Sequence, residues 1–288
     1  MRNGYDYVES DTIRGICKFL GQYRKSAFLL AGGTDLLVNI KEGKIRPQVI
    51  IGLSRLEKLK KIILLDNGGV RVGALVTMSQ IASHPMIKKN YQALSEAALT
   101  VGSSQIRNRA TLVGNICNAS PAADTAPALM IFEALVNIVN INCRRIVPIL
   151  EFFKGPGKTV LKKGEMVESI DIPRILQSSS SCYLKLGRTK GVDLAIIGVA
   201  ALMFSTGQVK LSLSSVAPTP IRLKKTEKMF SKKAFLDPTN VKEALKIMNS
   251  EICPISDIRA SDYYRRAMAA VFIKRALRVS NNRLKERE

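Results

Sequence analysis

Thr100 to Met130 reads TVGSSQIRNRATLVGNICNASPAADTAPALM, and the fold turns on what this stretch becomes. It is crowded with small and amide side chains: Ser103, Ser104, Gln105, Asn108, Thr111, Gly114, Asn115, Asn118 and Ser120. It holds one carboxylate, Asp124, and two guanidiniums, Arg107 and Arg109. No helical or strand period of apolar residues runs through it, so it reads as a long irregular segment. Such a segment inside a compact domain is functional or disordered. Ile106, Leu112, Val113, Ile116 and Leu129 require burial, which argues against disorder. Small residues let backbone approach a ligand closely, and amides donate and accept hydrogen bonds. A tightly packed surface loop would read the same way.

Working outward, the nearest partner for this stretch lies some seventy residues upstream. SAFLLAGGTDLLVNIKEGK, Ser26 to Lys44, reads as a strand at Ala27 to Ala31, a turn at Gly32-Gly33, and a helix to about Lys41 capped by Thr34 or Asp35. A strand, a glycine turn and a helix start gather unpaired N–H groups at one point, an arrangement that suits a diphosphate. A plain strand–turn–helix junction has the same pattern, and the spacing is not the G-x-G-x-x-G of a dinucleotide fold. Pro47 to Leu53 is a second strand, giving a small parallel βαβ unit. Asp11 to Tyr23 is an amphipathic helix before it, with Ile13, Ile16, Cys17 and Leu20 on one face.

Between the two stretches, Ile62 to Leu65 and Val70 to Val76 are strands around Asn67-Gly68-Gly69, a hairpin signal. Thr77 with Gln80 forms a capping box, and Pro85 to Leu99 reads as one helix. Downstream, Leu135 to Ile141 and Arg144 to Ile149 are paired strands, and Val167 to Ile172 is a strand stopped by Pro173. GPGKT at 155–159 is not a phosphate loop, because the first glycine of the G-x-x-x-x-G-K pattern is missing. Gln177 to Ser181, QSSSS, is the best linker candidate. Beyond it, apolar runs at Tyr183 to Leu186, Asp193 to Phe204 and Gln208 to Val216 suggest an antiparallel sheet. A helix starting at Asp237-Pro238 follows, then a long one from Ser261 with Tyr264, Met268, Val271 and Phe272 inward.

Composition bounds the chemistry. With 288 residues, 46% of them hydrophobic, the chain can fill a large core. No run approaches the about 18 apolar residues of a membrane span, and no secretory signal is visible at the start. Cys17, Cys117, Cys143, Cys182 and Cys253 are scattered with no C-x-x-C pair, against a disulfide framework, a zinc site or an iron–sulfur cluster held by this chain. A reducing, cytoplasmic compartment is expected. His84 is the only histidine, so a His-based triad has no material, and His84-Pro85 reads as a helix end. The formal net charge of +22 raises nucleic acid as a partner, but the cations are spread along the chain, aromatic residues are 6%, and Trp is absent. Docking to an acidic partner explains the charge at least as well.

AGGTDLL at 31–37 and QIRNRATLVGNICNASPAADTAPAL at 105–129 resemble the flavin-binding medium subunits of the molybdenum hydroxylases, the family of xanthine dehydrogenase and carbon monoxide dehydrogenase. FFKGPGKTVLKKGEMVESIDIP, KLGRTKGVDLAIIGVAAL, SVAPTPIR and SDYYRRAMAAVFIKRAL extend the likeness in register over nearly the whole chain, with detail closest to the xanthine dehydrogenase side. The resemblance implies an α+β protein: an N-terminal FAD-binding domain of two subdomains, similar to the vanillyl-alcohol oxidase type, at 1–177 (about 1–55 and 56–177). A C-terminal α+β domain of antiparallel sheet and helices follows at 178–288. It implies that this chain binds FAD and passes electrons to an acceptor such as NAD. An iron–sulfur subunit with two [2Fe–2S] clusters and a molybdopterin subunit would complete a heterotrimer, paired as a dimer of heterotrimers. No residue of this chain is expected to be catalytic or to bind metal.

The family's contacts fall on Leu29, Leu30, Ala31, Gly32, Gly33, Thr34, Asp35 and Leu36 around the diphosphate. They fall also on Val101, Thr111, Gly114, Asn115, Ser120 and Asp124, with Asp124 suited to ribose hydroxyls. Val167 would cover a ring, and Lys185 would stand near the flavin, where a cation favours its anionic reduced form. A solvated surface lysine is the alternative there. One departure stands out: the family's pair of glycines is here Val113-Gly114, and a β-branched residue would be strained if that position needed a positive φ.

Overall fold

The computed structural model describes residues 4–23, 26–189, 191–230 and 238–286. The first unit is a three-stranded parallel sheet. β1 (Asp6–Glu9) and β2 (Ala27–Leu30) flank β3 (Val49–Gly52), with Val8 and Leu29 both level with Ile51. α1 (Ile13–Tyr23) buries Ile16, Cys17 and Leu20 against it, the face its period called for. α2 (Leu36–Lys41) is the crossover helix, so the expected βαβ unit is present. β1 escaped the sequence reading because DYVE is an edge strand with half its side chains exposed and no apolar run.

The second unit is a five-stranded antiparallel sheet. Its order is β4 (Ile62–Leu64), β5 (Val70–Gly73), β10 (Met166–Ile172), β6 (Leu135–Val139), β7 (Arg144–Pro148). The β4–β5 hairpin turns at Gly68, whose φ of 77° requires glycine, while Asn67 Oδ1 accepts the Gly69 N–H at 2.9 Å. Helices α3 (Met78–Ser83), α4 (Pro85–Asn90), α5 (Gln92–Leu99), α6 (Ser104–Arg107), α7 (Leu112–Asn118) and α8 (Thr125–Ile131) fill the space beside this sheet, and α9 (Ile149–Phe152) follows β7. The Thr77–Gln80 capping box forms, and His84 sits between α3 and α4.

Three expectations are corrected here. The single helix over 85–99 is broken at Tyr91, because that ring is buried against Phe132 and its hydroxyl donates to the Pro173 carbonyl at 3.0 Å. The stretch 100–130 is not one irregular loop: it holds three short helices, the first two capped by its own Ser103 and Thr111 side chains. Val113 carries no strain, because it lies inside α7, and the positive-φ residues outside glycine are Ala119, Glu133 and Ser215 among the described residues. Residues 153–159 form a small hairpin, β8 (Phe153–Gly155) with β9 (Lys158–Thr159).

The C-terminal sheet runs β11 (Ser179–Leu186), β12 (Ile197–Phe204), β13 (Val209–Ser214), β14 (Ile221–Arg222), all antiparallel. α10 (Lys224–Met229), α11 (Pro238–Glu251) and α12 (Asp262–Lys285) complete it. Ser261 Oγ caps α12 by accepting the Tyr264 N–H at 3.1 Å. Asp237, the expected cap of α11, lies outside the described residues. Phe272 is buried as expected, but Tyr264 and Val271 are partly exposed; the inward stripe of α12 is Arg265, Ala269, Phe272, Ile273, Ala276 and Leu277. The serine run is not a free linker: Ser179 opens β11, Ser180 Oγ donates to the Ser280 carbonyl and Ser181 Oγ accepts the Ala93 N–H.

β12, IGVAALMF, is buried along its whole length, which is why it reads as a continuous run rather than an alternation. One face packs on α12. The other contributes Ala200, Leu202 and Phe204 to the apolar core of the N-terminal units. A leucine or phenylalanine such as Leu202 or Phe204 taken fully out of water stabilises the fold by about 1.5–3 kcal/mol.

Candidate functional site

Two sequence-distant segments meet at the end of the parallel sheet. A Cβ on Gly32 would lie 2.0 Å from the Arg109 carbonyl oxygen, so only glycine lets the turn press its backbone against the 105–111 segment. Gly33 has φ 78°, the left-handed region that excludes most side chains. Asn118, at the end of α7, donates from Nδ2 to Asp35 Oδ1 at 3.0 Å and ties the second segment to the first. The 105–111 segment is held from behind by a bridge between Thr77 and Thr111, with Met78 N–H donating to the Ala110 carbonyl at 2.9 Å.

The turn leaves donors free. The backbone N–H groups of Gly32, Gly33, Thr34 and Asp35 donate no hydrogen bond to the described chain. Leu29 and Leu30 lead into the turn as the end of β2, where the Leu30 carbonyl accepts the Leu53 N–H at 3.1 Å. Ala31 and Leu36 flank it, and neither is fully buried. Asp35 stands at the α2 N-terminus without capping it, and partial burial pushes its carboxyl above the ordinary value.

On the facing segment the candidate residues have structural duties. Thr111 Oγ1 accepts the Gly114 N–H at 3.0 Å. Asn115 Oδ1 accepts the Thr125 hydroxyl at 2.6 Å, joining α7 to α8. Ser120 Oγ accepts the Ala122 N–H at 3.2 Å, shaping the loop before α8. Ala119, at φ 49°, turns the chain out of α7. Cys117 is no nucleophile, since burial pushes its thiol up to about 12.

Asp124 and Lys185 come together, which the sequence did not suggest. Lys185 Nζ donates to Asp124 Oδ2 at 2.8 Å and to the Thr100 carbonyl at 3.0 Å, with both side chains about nine-tenths buried. Tyr183 donates its hydroxyl to Asp124 Oδ1 at 2.7 Å. Burial raises the Asp124 carboxyl, and the neighbouring ammonium opposes the rise. Each carboxylate oxygen is therefore engaged by the chain itself, and Asp124 joins the segment before α8 to β11. Lys185 is correspondingly not a solvated surface cation. Tyr183 was missed, although its signal was available: it precedes Lys185 by two residues on one strand, so both project to the same face.

Lys185 forms part of the wall of a cavity of about 670 Å³ with Thr100, Gly102, Arg107, Arg188 and Val192. Arg107 Nη1 donates to the Val101 and Gly102 carbonyls at 3.2 and 2.9 Å, fixing the bend where Gly102 takes φ 50°. Val101 is thereby placed beside the cavity. Val167 is not: it is buried in the core at a bulge of β10 and offers little side-chain surface to a ligand. No group of His, Cys, Asp and Glu able to hold a metal occurs among the described residues.

The donor set fits a large anionic cofactor with a diphosphate: a row of unpartnered N–H groups, two glycines that admit close approach, and a cavity with a cationic wall. Residues 3–175 match the family model of the FAD binding domain in molybdopterin dehydrogenase, and residues 182–279 match the CO dehydrogenase flavoprotein C-terminal domain. The chain is 32% identical to the glyceraldehyde dehydrogenase medium chain of Sulfolobus acidocaldarius, over 95% of this chain and 97% of the relative. It is 30% identical to the xanthine dehydrogenase FAD-binding subunit of Escherichia coli, over 87% of each. Among solved structures, carbon monoxide dehydrogenase from Hydrogenophaga pseudoflava superposes with a TM-score of 0.91 at 30% identity, covering 97% of this chain and 98% of that one.

Proposed function

The chain belongs to the family of FAD-binding domains of the molybdopterin dehydrogenases, and on that premise we propose that it is the electron-transfer subunit of a xanthine dehydrogenase-like molybdenum hydroxylase. It receives electrons from the [2Fe–2S] clusters of one partner subunit and delivers them to an acceptor such as NAD. Substrate oxidation takes place on a molybdopterin subunit, in a heterotrimer that pairs into a dimer of heterotrimers. The relatives named xanthine dehydrogenase and carbon monoxide dehydrogenase support a place in such a complex. A carbon monoxide dehydrogenase-type complex is the alternative for the substrate. A cytoplasmic setting is supported by five free cysteines. No helix among the described residues is long and apolar enough to cross a membrane.

The observation that carries the reading is the pairing of the Gly turn with the 105–124 segment, which leaves four consecutive N–H donors unspent. In this proposal Gly32, Gly33, Thr34 and Asp35 hold the FAD diphosphate through those N–H groups. Leu29, Leu30, Ala31 and Leu36 shape the turn, while Thr111, Gly114, Asn115 and Ser120 hold the facing wall rigid. Val101 and Lys185 border the cavity meant for the flavin ring, and the Asp124–Lys185 pair fixes where the cation stands. FAD, when bound, supplies the redox chemistry by taking up and releasing reducing equivalents. The chain's own work is to bind, orient and shield that group. The proposed domain division at 177/178 is supported by the two family matches, which end and begin on either side of it.

Flavin content of the purified subunit tests this. Gly33→Val places a side chain at φ 78° and within 3.0 Å of Leu30 and Leu37. Its strain of about 1–2 kcal/mol predicts an affinity for FAD lowered about tenfold or more, with the far-UV spectrum of the fold unchanged. Wild-type affinity in Gly33→Val would break the assignment of the turn.

A further inference from the structure

The last two long helices are joined at one end and leave a gap at the other. Arg266, near the start of α12, donates from Nη1 to the Asn249 carbonyl near the end of α11 at 3.0 Å. At the opposite end, between the start of α11 and the end of α12, lies a cavity of about 760 Å³. Its floor is apolar: Phe230 and Leu277 are buried, and Val241 and Leu245 are partly buried. Its walls are cationic. Lys242 stands on α11, and Lys274, Arg278 and Lys285 climb one side of α12 at helical spacing. That stripe extends over roughly three turns, about 16 Å.

The fold makes no use of these cations. Elsewhere in the C-terminal unit arginines are spent on carboxylates: Arg222 on Glu227 and Glu133, Arg259 and Arg265 on Asp257, Arg283 on Glu96. The side chains of Lys242, Lys274, Arg278 and Lys285 make no ion pair or hydrogen bond among the described residues, and no carboxylate lines the cavity among them. Glu243 and Glu286, adjoining in sequence, are exposed and lie outside the lining. Like charges four apart on a helix face repel, so Lys274 and Arg278 weaken α12 rather than brace it. Four unpaired cations around an apolar floor complement an anionic body that has an apolar face of its own.

We infer that the groove between α11 and α12 receives an acidic amphipathic helix of a partner polypeptide, its apolar face seated on Phe230, Val241, Leu245 and Leu277 and its carboxylates on the four cations. A linear stripe of cations matches carboxylates repeated at helical spacing, whereas a single phosphate or carboxylate would leave most of it unpaired. Nucleic acid has no use for an apolar floor, and Phe230, the one aromatic ring in the lining among the described residues, is 5% exposed and offers no stacking face. A second copy of this chain would bring a formal net charge of +22 against a cationic wall. The groove shares no lining residue with the cavity that Lys185 borders, so the inference stands apart from the flavin reading.

The test titrates the full chain, at physiological salt, into a fluorescently labelled peptide of leucine and glutamate at amphipathic helical spacing, with a scrambled peptide of the same composition as its comparison. The expected result is binding of the amphipathic peptide about tenfold or more tighter than the scrambled one, weakened about tenfold or more by Lys274→Glu with Arg278→Glu. Lys242→Glu, on the facing helix, should weaken it as well, since both walls hold the same body. Lys58→Glu with Lys61→Glu, an exposed pair in the N-terminal part that removes the same net charge, should bind like wild type. Equal affinity for the two peptides overturns the inference. So does unchanged binding in the groove variants, or equal weakening in the control pair, which would make the attraction one of overall charge. Single-stranded DNA bound more tightly than the peptide, and lost in the same groove variants, would assign the groove to nucleic acid and overturn it too.

Discussion

Two ion clusters hold opposite ends of the same loop, and they differ in how their charges balance. At the Lys185 end, one carboxylate, Asp124, meets one ammonium and one phenol, and burial raises its protonation tendency. At the Ile196 end, one carboxylate, Asp257, meets two guanidiniums and is held well below the usual carboxylate range, chiefly by hydrogen bonds from Arg259. The first cluster sits beside the cavity, with burial and the ammonium pulling its carboxyl in opposite directions. The second is overdetermined and serves as a rivet. Burial at Asp124 and hydrogen bonds from guanidinium at Asp257 thus set two aspartates apart within one chain.

Breaking the rivet should cost most. Arg265→Met strands the Ile196 and Ser215 carbonyls and one partner of Asp257, a loss of about 3–5 kcal/mol read as a lowered denaturant midpoint. Lys185→Met should cost less, about 1–3 kcal/mol, because Asp124 can take a proton and keep its Tyr183 bond. The contrast fails if the Lys185 variant proves the less stable of the two.

The smallest effects are in pH dependence. The folded pKa of Asp257 lies below its unfolded value of about 3.9, so its contribution is present above that value and is lost as pH falls toward the folded one. Asp257→Asn should therefore flatten the acid limb of a stability–pH curve. Asp124 is shifted the other way: its folded form holds a proton more readily, so its contribution declines as pH rises through the interval between the two pKa values. Asp124→Asn should leave the acid limb as steep or steeper. Flattening by both variants would erase the distinction.

Much of the scaffold could be read from the chain. The α1 stripe, the Asn67 hairpin and the Thr77–Gln80 box are local signals, complete within a few residues, and each forms as read. What could not be read depends on contacts between distant segments. Tyr91 breaks a helix because Pro173 and Phe132 wait for it, and the serines at 179–181 become a strand because α5 and α12 offer partners. In the candidate site, the glycine turn and its donors were legible, because N–H geometry follows from local sequence. The coupling of Asp124 to Lys185 was not, because it exists only once two domains have docked. The rivet at Arg265 left no trace beyond one arginine on the inward stripe of a helix.

The sheet of β11, β12 and β13 is the party wall of the molecule: Cys182, Val199 and Leu211 look toward α12, while Tyr183, Ala200 and Leu202 look toward the N-terminal units. Chimeras made by exchanging C-terminal halves between relatives must therefore match two jigsaw faces at once, not one. A graft that keeps the α12 side but ignores the other would leave hydrocarbon lining a gap under Tyr183 and loosen the hydrogen bonds through Asp124 that aim Lys185 at the cavity. Inheritance of the two halves is, on this geometry, a joint affair.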